Sequence, residues 1–347
     1  MRSAESNEEK QDISNTPHSA PPALAVPLVN AGGRLGTPHL EHVPVLLREA
    51  VDLLAPRPGG VYVDGTLGAG GHAAEILRRS APDGVVIGLD QDPEAVERCK
   101  ASLAEFGDRA VIRRANYRDV PAVLAETGYE TVDGVLLDLG VSWFHVKTPE
   151  RGFSFMLDGP LDMRMDTGRP ETAADLVNNL SRDELATIIR EYGEERRAGA
   201  IARAIEKARA RRPITGTAQL AEIVSSVFPP YPPRRLHPAT LTFQALRIAV
   251  NDELGALREG MDRIILLLKP GGRLAVIAFH SLEDRIVKQA FAAAAKGCVC
   301  PPKMPVCSCG RKPVLRVLTH RPMTAGPDET ARNAAARSAK LRAAEKL

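Results

Sequence analysis

Residues 64–72 read Asp64-Gly65-Thr66-Leu67-Gly68-Ala69-Gly70-Gly71-His72, directly after the apolar run Val61-Tyr62-Val63. Glycines at a strand-to-helix turn let the backbone approach a ligand without a Cβ clash. A second apolar run, Val85 to Leu89, ends in Asp90, an acid placed to accept both hydroxyls of an adenosine ribose. Gly68-Ala69-Gly70-Gly71-His72-Ala73 also fits the dinucleotide fingerprint with alanine at its last position, so a nicotinamide-dependent oxidoreductase stays open. A glycine turn with no nucleotide is the plain alternative. Asp64 tilts the choice: a carboxylate before the glycines suits a ligand carrying an ammonium and a sulfonium and repels a pyrophosphate. The same acid could merely cap the turn.

Three further groups could do chemistry. Asp138 ends the apolar run Val132 to Leu139, beside the expected switch point of a parallel sheet, where ligands bind in such folds; capping of the next turn is the structural alternative. Arg196, Arg203, Lys207 and Arg211 share one face of a helix, with Ile201 and Ile205 opposite. Between 194 and 212, seven basic residues stand against three acidic ones, either a solvated face or a phosphate-contacting stripe. Cys298, Cys300, Cys307 and Cys309 form C-x-C-x6-C-x-C. Thiolate pairs can hold zinc, but C-x2-C is the usual structural spacing, so the pattern reads as reduced cysteines in a Pro-rich loop and no metal is assigned. Cys99 falls mid-helix as a small apolar residue.

The elements that must position these groups alternate. Helices are expected over Val45–Leu54, Ala73–Arg79 and Pro93–Phe106, and strands over 61–64, 85–90, 110–113 and 132–139. This order predicts an α/β fold with a parallel, doubly wound sheet. The next strand, Arg273–Phe279, is too far from Gly140 for one crossover helix. Helical patterns at 173–180, 182–192, 196–210 and 218–228 predict an inserted helical domain over 150–235. A helix Leu241–Leu268 is expected to return to the sheet, a last strand to cover Val314–Leu318, and 323–347 to form a basic, Ala-rich tail. Residues 1–40 are polar and Pro-rich and read as a disordered leader.

Composition sets few limits. The 347 residues carry a net charge of +3, so local clustering decides any nucleic-acid partner. No apolar run approaches the roughly 18 residues that span a bilayer. The N-terminus lacks the order of a signal peptide, and five cysteines do not suggest a disulfide scaffold, so the cytoplasm is the expected compartment.

From His42 onward the chain resembles the ribosomal RNA small subunit methyltransferase H (MraW) family. The carrying segments are His42–Leu47, Asp64–His72, Leu137-Asp138-Leu139-Gly140-Val141-Ser142, Glu150–Phe155, Asp158–Asp166, Tyr192–Arg196, His237–Thr240, Thr242–Arg247, Phe279–Arg285 and Arg337–Arg342. The resemblance implies a Rossmann-like class I methyltransferase sheet (41–149 and 236–322) with an inserted helical substrate-recognition domain. It implies an S-adenosylmethionine cofactor and N4-methylation of a cytidine in the decoding region of 16S ribosomal RNA, free or within the small subunit. It places cofactor contacts at Gly70, Gly71, His72, Asp90, Tyr117, Asp138 and His145, and turns the basic stripe toward RNA phosphates. Tyr117 would pack on adenine, Asp138 would orient the target amine, and His280 would line the base pocket or simply start the next helix. His145 stands where the family has glutamine, and Lys147 where it has aspartate. The Asp/Asn-Pro-Pro-Tyr motif of amino-methylating enzymes is replaced by Asp138-Leu139-Gly140-Val141. An RNA-binding factor with a vestigial cofactor site is therefore a third possibility beside the oxidoreductase.

Overall fold

A computed structural model describes residues 44–229, 237–298, 300, 306 and 308–347. The expected leader, His42-Val43, Cys307 and the expected domain boundary near 235 lie outside the described residues. Strands and helices alternate through α1 (Leu47–Leu54), β1 (Val61–Asp64), α2 (Gly71–Arg79), β2 (Val85–Asp90), α3 (Pro93–Ser102), β3 (Ala110–Arg114), α4 (Val120–Thr127) and β4 (Val132–Asp138). Then come α5 (Trp143–Lys147), α6 (Ala173–Asn179), α7 (Arg182–Gly193), α8 (Ala198–Arg209), α9 (Thr217–Ser225), α10 (Thr240–Asn251) and α11 (Glu253–Leu267). The remainder is β5 (Leu268–Ala278), α12 (Ser281–Ala295), β6 (Leu315–Val317), α13 (Pro327–Arg332) and β7 (Lys340–Lys346).

The seven strands lie in the order β3-β2-β1-β4-β5-β7-β6. β1 to β5 run parallel, and β7 runs antiparallel to both β5 and β6. β1 and β4 are almost wholly buried, as their unbroken apolar runs require of strands covered on both faces. One face packs on α4, α11 and α12 through Val63, Leu137, Ile264 and Val287; the other packs on α1 and α2 through Tyr62, Ile76, Leu136 and Ile277.

Two expectations fail here. Lys340–Lys346 is no tail: it is β7, with Leu341, Arg342, Ala343 and Ala344 buried. Its charges are neutralised within the fold, Arg342 by Asp284 at 2.6 Å and Glu345 by Arg273 at 3.1 Å. The helix expected over 241–268 is two helices, broken where Asp252 takes a left-handed conformation (φ 51). The break separates their duties. Phe243, Leu246 and Val250 of α10 join Ile189, Ile201, Ile205 and Leu220 in a separate helical core, whereas α11 lies on the sheet. The helical core thus includes side chains from α6 to α10.

Candidate active site

Gly68 and Gly70 adopt φ of 53° and 82° in the loop between β1 and α2. Leu67 N–H donates to Leu89 carbonyl at 2.9 Å, and Gly68 N–H donates to Asp90 Oδ2 at 2.9 Å, so the loop is held to the end of β2. Among the described residues, a Cβ on Gly68 would meet no atom within 4 Å, so that side of the loop has room for a ligand. A Cβ on Gly71 would strike Pro44 at 2.2 Å, so Gly71 serves packing.

Asp90 takes a second amide, from Asp92 at 2.9 Å through Oδ1. Burial raises its pKa against the two amides that favour the anion. Each carboxylate oxygen keeps a lone pair for a ribose hydroxyl. Two other acids stand at the same sheet edge. Asp64 is 1% exposed, and its Oδ1 accepts Thr66 N–H at 3.1 Å. Asp138 N–H donates to the Thr66 hydroxyl at 2.6 Å. Among the described residues, Asp64 Oδ2 and Asp138 Oδ1 are both buried without a hydrogen-bond partner. Burial pushes the Asp64 carboxyl up to about 7, with the Asp90 charge adding to it. Asp138 is raised well above the usual range by burial, then by Asp64 and Glu283. Orphaned carboxylate oxygens on neighbouring strands are costly unless a cation completes them. An ammonium or sulfonium fits that demand and a pyrophosphate does not. His72 stands beside the pair: Nδ1 is 3.8 Å from Asp138 Oδ2, and Nε2 meets the Val45 carbonyl at 3.2 Å.

His145 lies buried in the first turn of α5. Its Nδ1 accepts Ser142 N–H at 3.3 Å in a capping box at the start of α5, and Nε2 lies 2.7 Å from Asp92 Oδ2. Nδ1 accepting leaves Nε2 as the donor, and both ring nitrogens are engaged. Arg151 Nη1 reaches the same Asp92 oxygen at 3.1 Å. Burial alone would raise Asp92, but His145 and Arg151 outweigh it and hold the carboxyl at about 2. Phe153 stacks on the His145 ring at 4.6 Å. This network braces the segment bearing Asp90. It extends outward: Arg151 Nη2 donates to the Met165 carbonyl, Gln91 donates to Met165 Sδ, and Met165 N–H donates to Asn251 Oδ1 at 2.7 Å on α10. Asp92 carries no expected role in the sequence, and Arg151 stands there only within the family-like segment Glu150–Phe155. Asp90-Gln91-Asp92 was the available signal, and nothing local links it to Arg151.

Tyr117 turns its ring inward. It packs where a Gly260 Cβ would stand on α11, and its hydroxyl donates to the Glu253 carbonyl at 3.4 Å. Asn116, bonded to Gln91 at 3.1 Å, instead lines a cleft of about 380 Å³ with Arg114, Asp166 and Arg169. His280 is the N-cap of α12; Nδ1 accepts Glu283 N–H at 3.4 Å, while Glu283 Oε2 accepts Phe279 N–H at 2.9 Å. Its Nε2 lies 3.2 Å from Glu283 Oε1, out of line for a hydrogen bond. Asp138 is in register with Ile277, so His280 and Asp138 leave adjacent strands at the same sheet edge. Behind them Arg247 makes two 2.8 Å bonds to Glu253 in a buried pair. Arg196, Arg203, Lys207 and Arg211 are all exposed, on or flanking α8, opposite buried Ile201 and Ile205. Their neighbours Arg197 and Arg209 instead donate to backbone carbonyls of Val227 and Val177.

The MraW methylase family model matches residues 39–347. The chain is 56% identical over 308 residues to Ribosomal RNA small subunit methyltransferase H of Syntrophotalea carbinolica, covering 88% of this chain and 98% of that one. It is 57% identical over 307 residues to the protein of the same name from Geobacter sulfurreducens (88% and 99%), and 55% identical to that of Symbiobacterium thermophilum (88% and 96%). With a glycine loop and the carboxylates of Asp64, Asp90 and Asp138 gathered at one sheet edge, and with this similarity over nearly its whole described length, the chain belongs to the MraW methylase family.

Proposed function

We propose that this chain methylates the N4 amine of a cytidine in the decoding region of 16S ribosomal RNA, using S-adenosylmethionine, in the cytoplasm. The observation that carries this reading is the pair of orphaned oxygens on Asp64 and Asp138 beside the open face of Gly68. It favours a cationic adenosine derivative over a nicotinamide dinucleotide. Among the described residues no helix is long and apolar enough to cross a membrane.

The residues divide the work. The cofactor supplies a methyl group on a positively charged sulfur. Asp90 holds the ribose hydroxyls, and the Gly68–His72 loop gives backbone contact. Asp64 and Asp138 balance the positive charge. Tyr117 and His145 act from behind, as support for this wall. A cytosine N4 lone pair is delocalised into the ring and is a poor nucleophile. Asp138, at the mouth, accepts from the amine hydrogens and favours a tetrahedral nitrogen, so that positioning provides most of the acceleration. His280 lines the base pocket from the adjacent strand end. The exposed cations of α8 take RNA phosphates, and the target base is unstacked to reach the sheet edge.

The test is methyl transfer from tritiated S-adenosylmethionine to small-subunit RNA of cells lacking this protein, followed by nucleoside mass spectrometry. The expected product is N4-methylcytidine at one position. Tight cofactor binding without label in any small-subunit substrate would overturn the reading in favour of a binding factor.

A further inference from the structure

Among the described residues of the loop joining α12 to β6 there is no helix or strand. Loops of this length inside a compact unit usually have a function or an internal tie. Its neck is closed, with Val314 N–H donating to the Ala294 carbonyl at 2.8 Å. Just inside the neck the Sγ atoms of Cys298, Cys300 and Cys309 all lie within 4.8 Å of one another. Cys298 and Cys309 Sγ are 3.7 Å apart. A disulfide needs about 2.0 Å. Two thiolates on one tetrahedral zinc, each about 2.3 Å from the ion, are about 3.8 Å apart. The observed separation is that of a tetrahedral edge.

The backbone supports the same chemistry. Cys300 N–H donates to Cys298 Sγ at 3.4 Å, a turn that brings both sulfurs of a one-residue spacing to one side. The Ser308 hydroxyl lies 3.9 Å from the Cys300 sulfur. N–H groups directed at sulfur stabilise thiolate and tune a bound metal. Lys296, Arg311 and Lys312 flank the group and offset the negative charge of a three-thiolate zinc. Cys307, the remaining thiol of the pattern, lies outside the described residues, so the site rests on the other three. Spacing alone spoke against a metal; the sulfur positions speak for one.

We propose that Cys298, Cys300 and Cys309 form a structural zinc site that pins the α12–β6 loop, separate from the methyl-transfer pocket. Binding exchanges three thiol protons, released to solvent, for three sulfur–zinc bonds, with no change of oxidation state. The metal ties the end of α12, the helix begun by His280, to the strand that pairs with β7.

Untagged protein purified under reducing conditions without chelator should contain about one zinc per chain by plasma mass spectrometry. Cobalt exchanged into the site should give sulfur-to-cobalt charge-transfer absorption and the visible bands of a tetrahedral ion. The double variant Cys298→Ser/Cys309→Ser should lose both signals and keep its affinity for S-adenosylhomocysteine. If that variant does not fold, a mercurial added to the wild type should release one equivalent of zinc to a dye. Less than about a tenth of an equivalent after zinc reconstitution, an unchanged metal content in the double variant, or a Cys298–Cys309 disulfide in alkylated peptides would overturn the proposal.

Discussion

Asp64 sits fully buried with its carboxyl raised to about 7, and its free oxygen faces the place assigned to a cation. A cationic ligand must favour the ionised form, so below pH 7 binding must expel a proton. If the bound ligand returns Asp64 to an ordinary pKa near 4, affinity should rise roughly 50-fold between pH 5 and pH 7, close to one proton released per ligand. S-adenosylhomocysteine is a suitable probe, because its ammonium stays protonated over that range. Calorimetric titration in buffers of different ionisation enthalpy counts the proton directly. Asp64→Asn should bind more weakly at pH 7 and lose about one proton of the dependence, leaving the part due to Asp90 and Asp138, both also raised. The sign for stability runs the other way. The unfolded chain ionises Asp64 near pH 4 and the ligand-free fold only near 7. This group therefore costs the ligand-free protein about 3 kcal/mol as pH rises from 4 to 7. Asp64→Asn should relieve that cost in urea titrations at pH 8. Parallel affinity profiles for wild type and Asp64→Asn would refute the assignment of a cation to this carboxylate.

Asp90→Ala should weaken S-adenosylhomocysteine by about ten- to a hundred-fold, the value of a charged hydrogen bond to ribose, with unchanged calorimetric affinity as the contrary result. Asp92→Ala removes the buried carboxylate of Arg151, leaving it only the exposed Glu94 at 3.4 Å, and should destabilise the fold by about 3 kcal/mol in denaturant unfolding. Since Asp92 is held at about 2, its contribution is complete above about pH 4 and should fade as pH falls toward 2 in acid-unfolding curves. Arg203→Ala and Lys207→Ala should each lower the slope of log affinity against log salt for small-subunit RNA by about one, with cofactor affinity unchanged. Slopes equal to wild type would make the α8 face an ordinary solvated surface.

Much of this was legible because it is local. Apolar runs ending in Asp64, Asp90 and Asp138 announced the strands and their carboxyl edge, and the stripe from Arg196 to Arg211 announced an amphipathic helix whose cations stay exposed. What escaped was nonlocal. Lys340-Leu341-Arg342-Ala343-Ala344-Glu345-Lys346 reads as a charged tail until Asp284, Arg273 and Arg316 supply its counter-charges. The break at Asp252 carries no glycine or proline, and its left-handed turn is set by the different cores on either side, with Arg118 gripping its carboxylate at 2.7 Å. Tyr117 follows β3 as an adenine-stacking residue would, but Gly260 on α11 leaves the space that draws its ring inward. His145 stands where a ligand contact was expected, yet its nitrogens are claimed by Ser142 and by Asp92, more than fifty positions away in the chain.

Met165 is the knot between the two cores: one end of its backbone is tied to Arg151 and so to the segment bearing Asp90, the other to Asn251 on α10 of the helical core. Thermodynamic reciprocity then applies to whatever passes through it. If occupation of the sheet edge tightens this knot and steadies the helical unit, loading of that unit with RNA must strengthen the hold on the nucleoside by the same factor. An enzyme wired in this way would take up its methyl donor most firmly when the acceptor is already in hand.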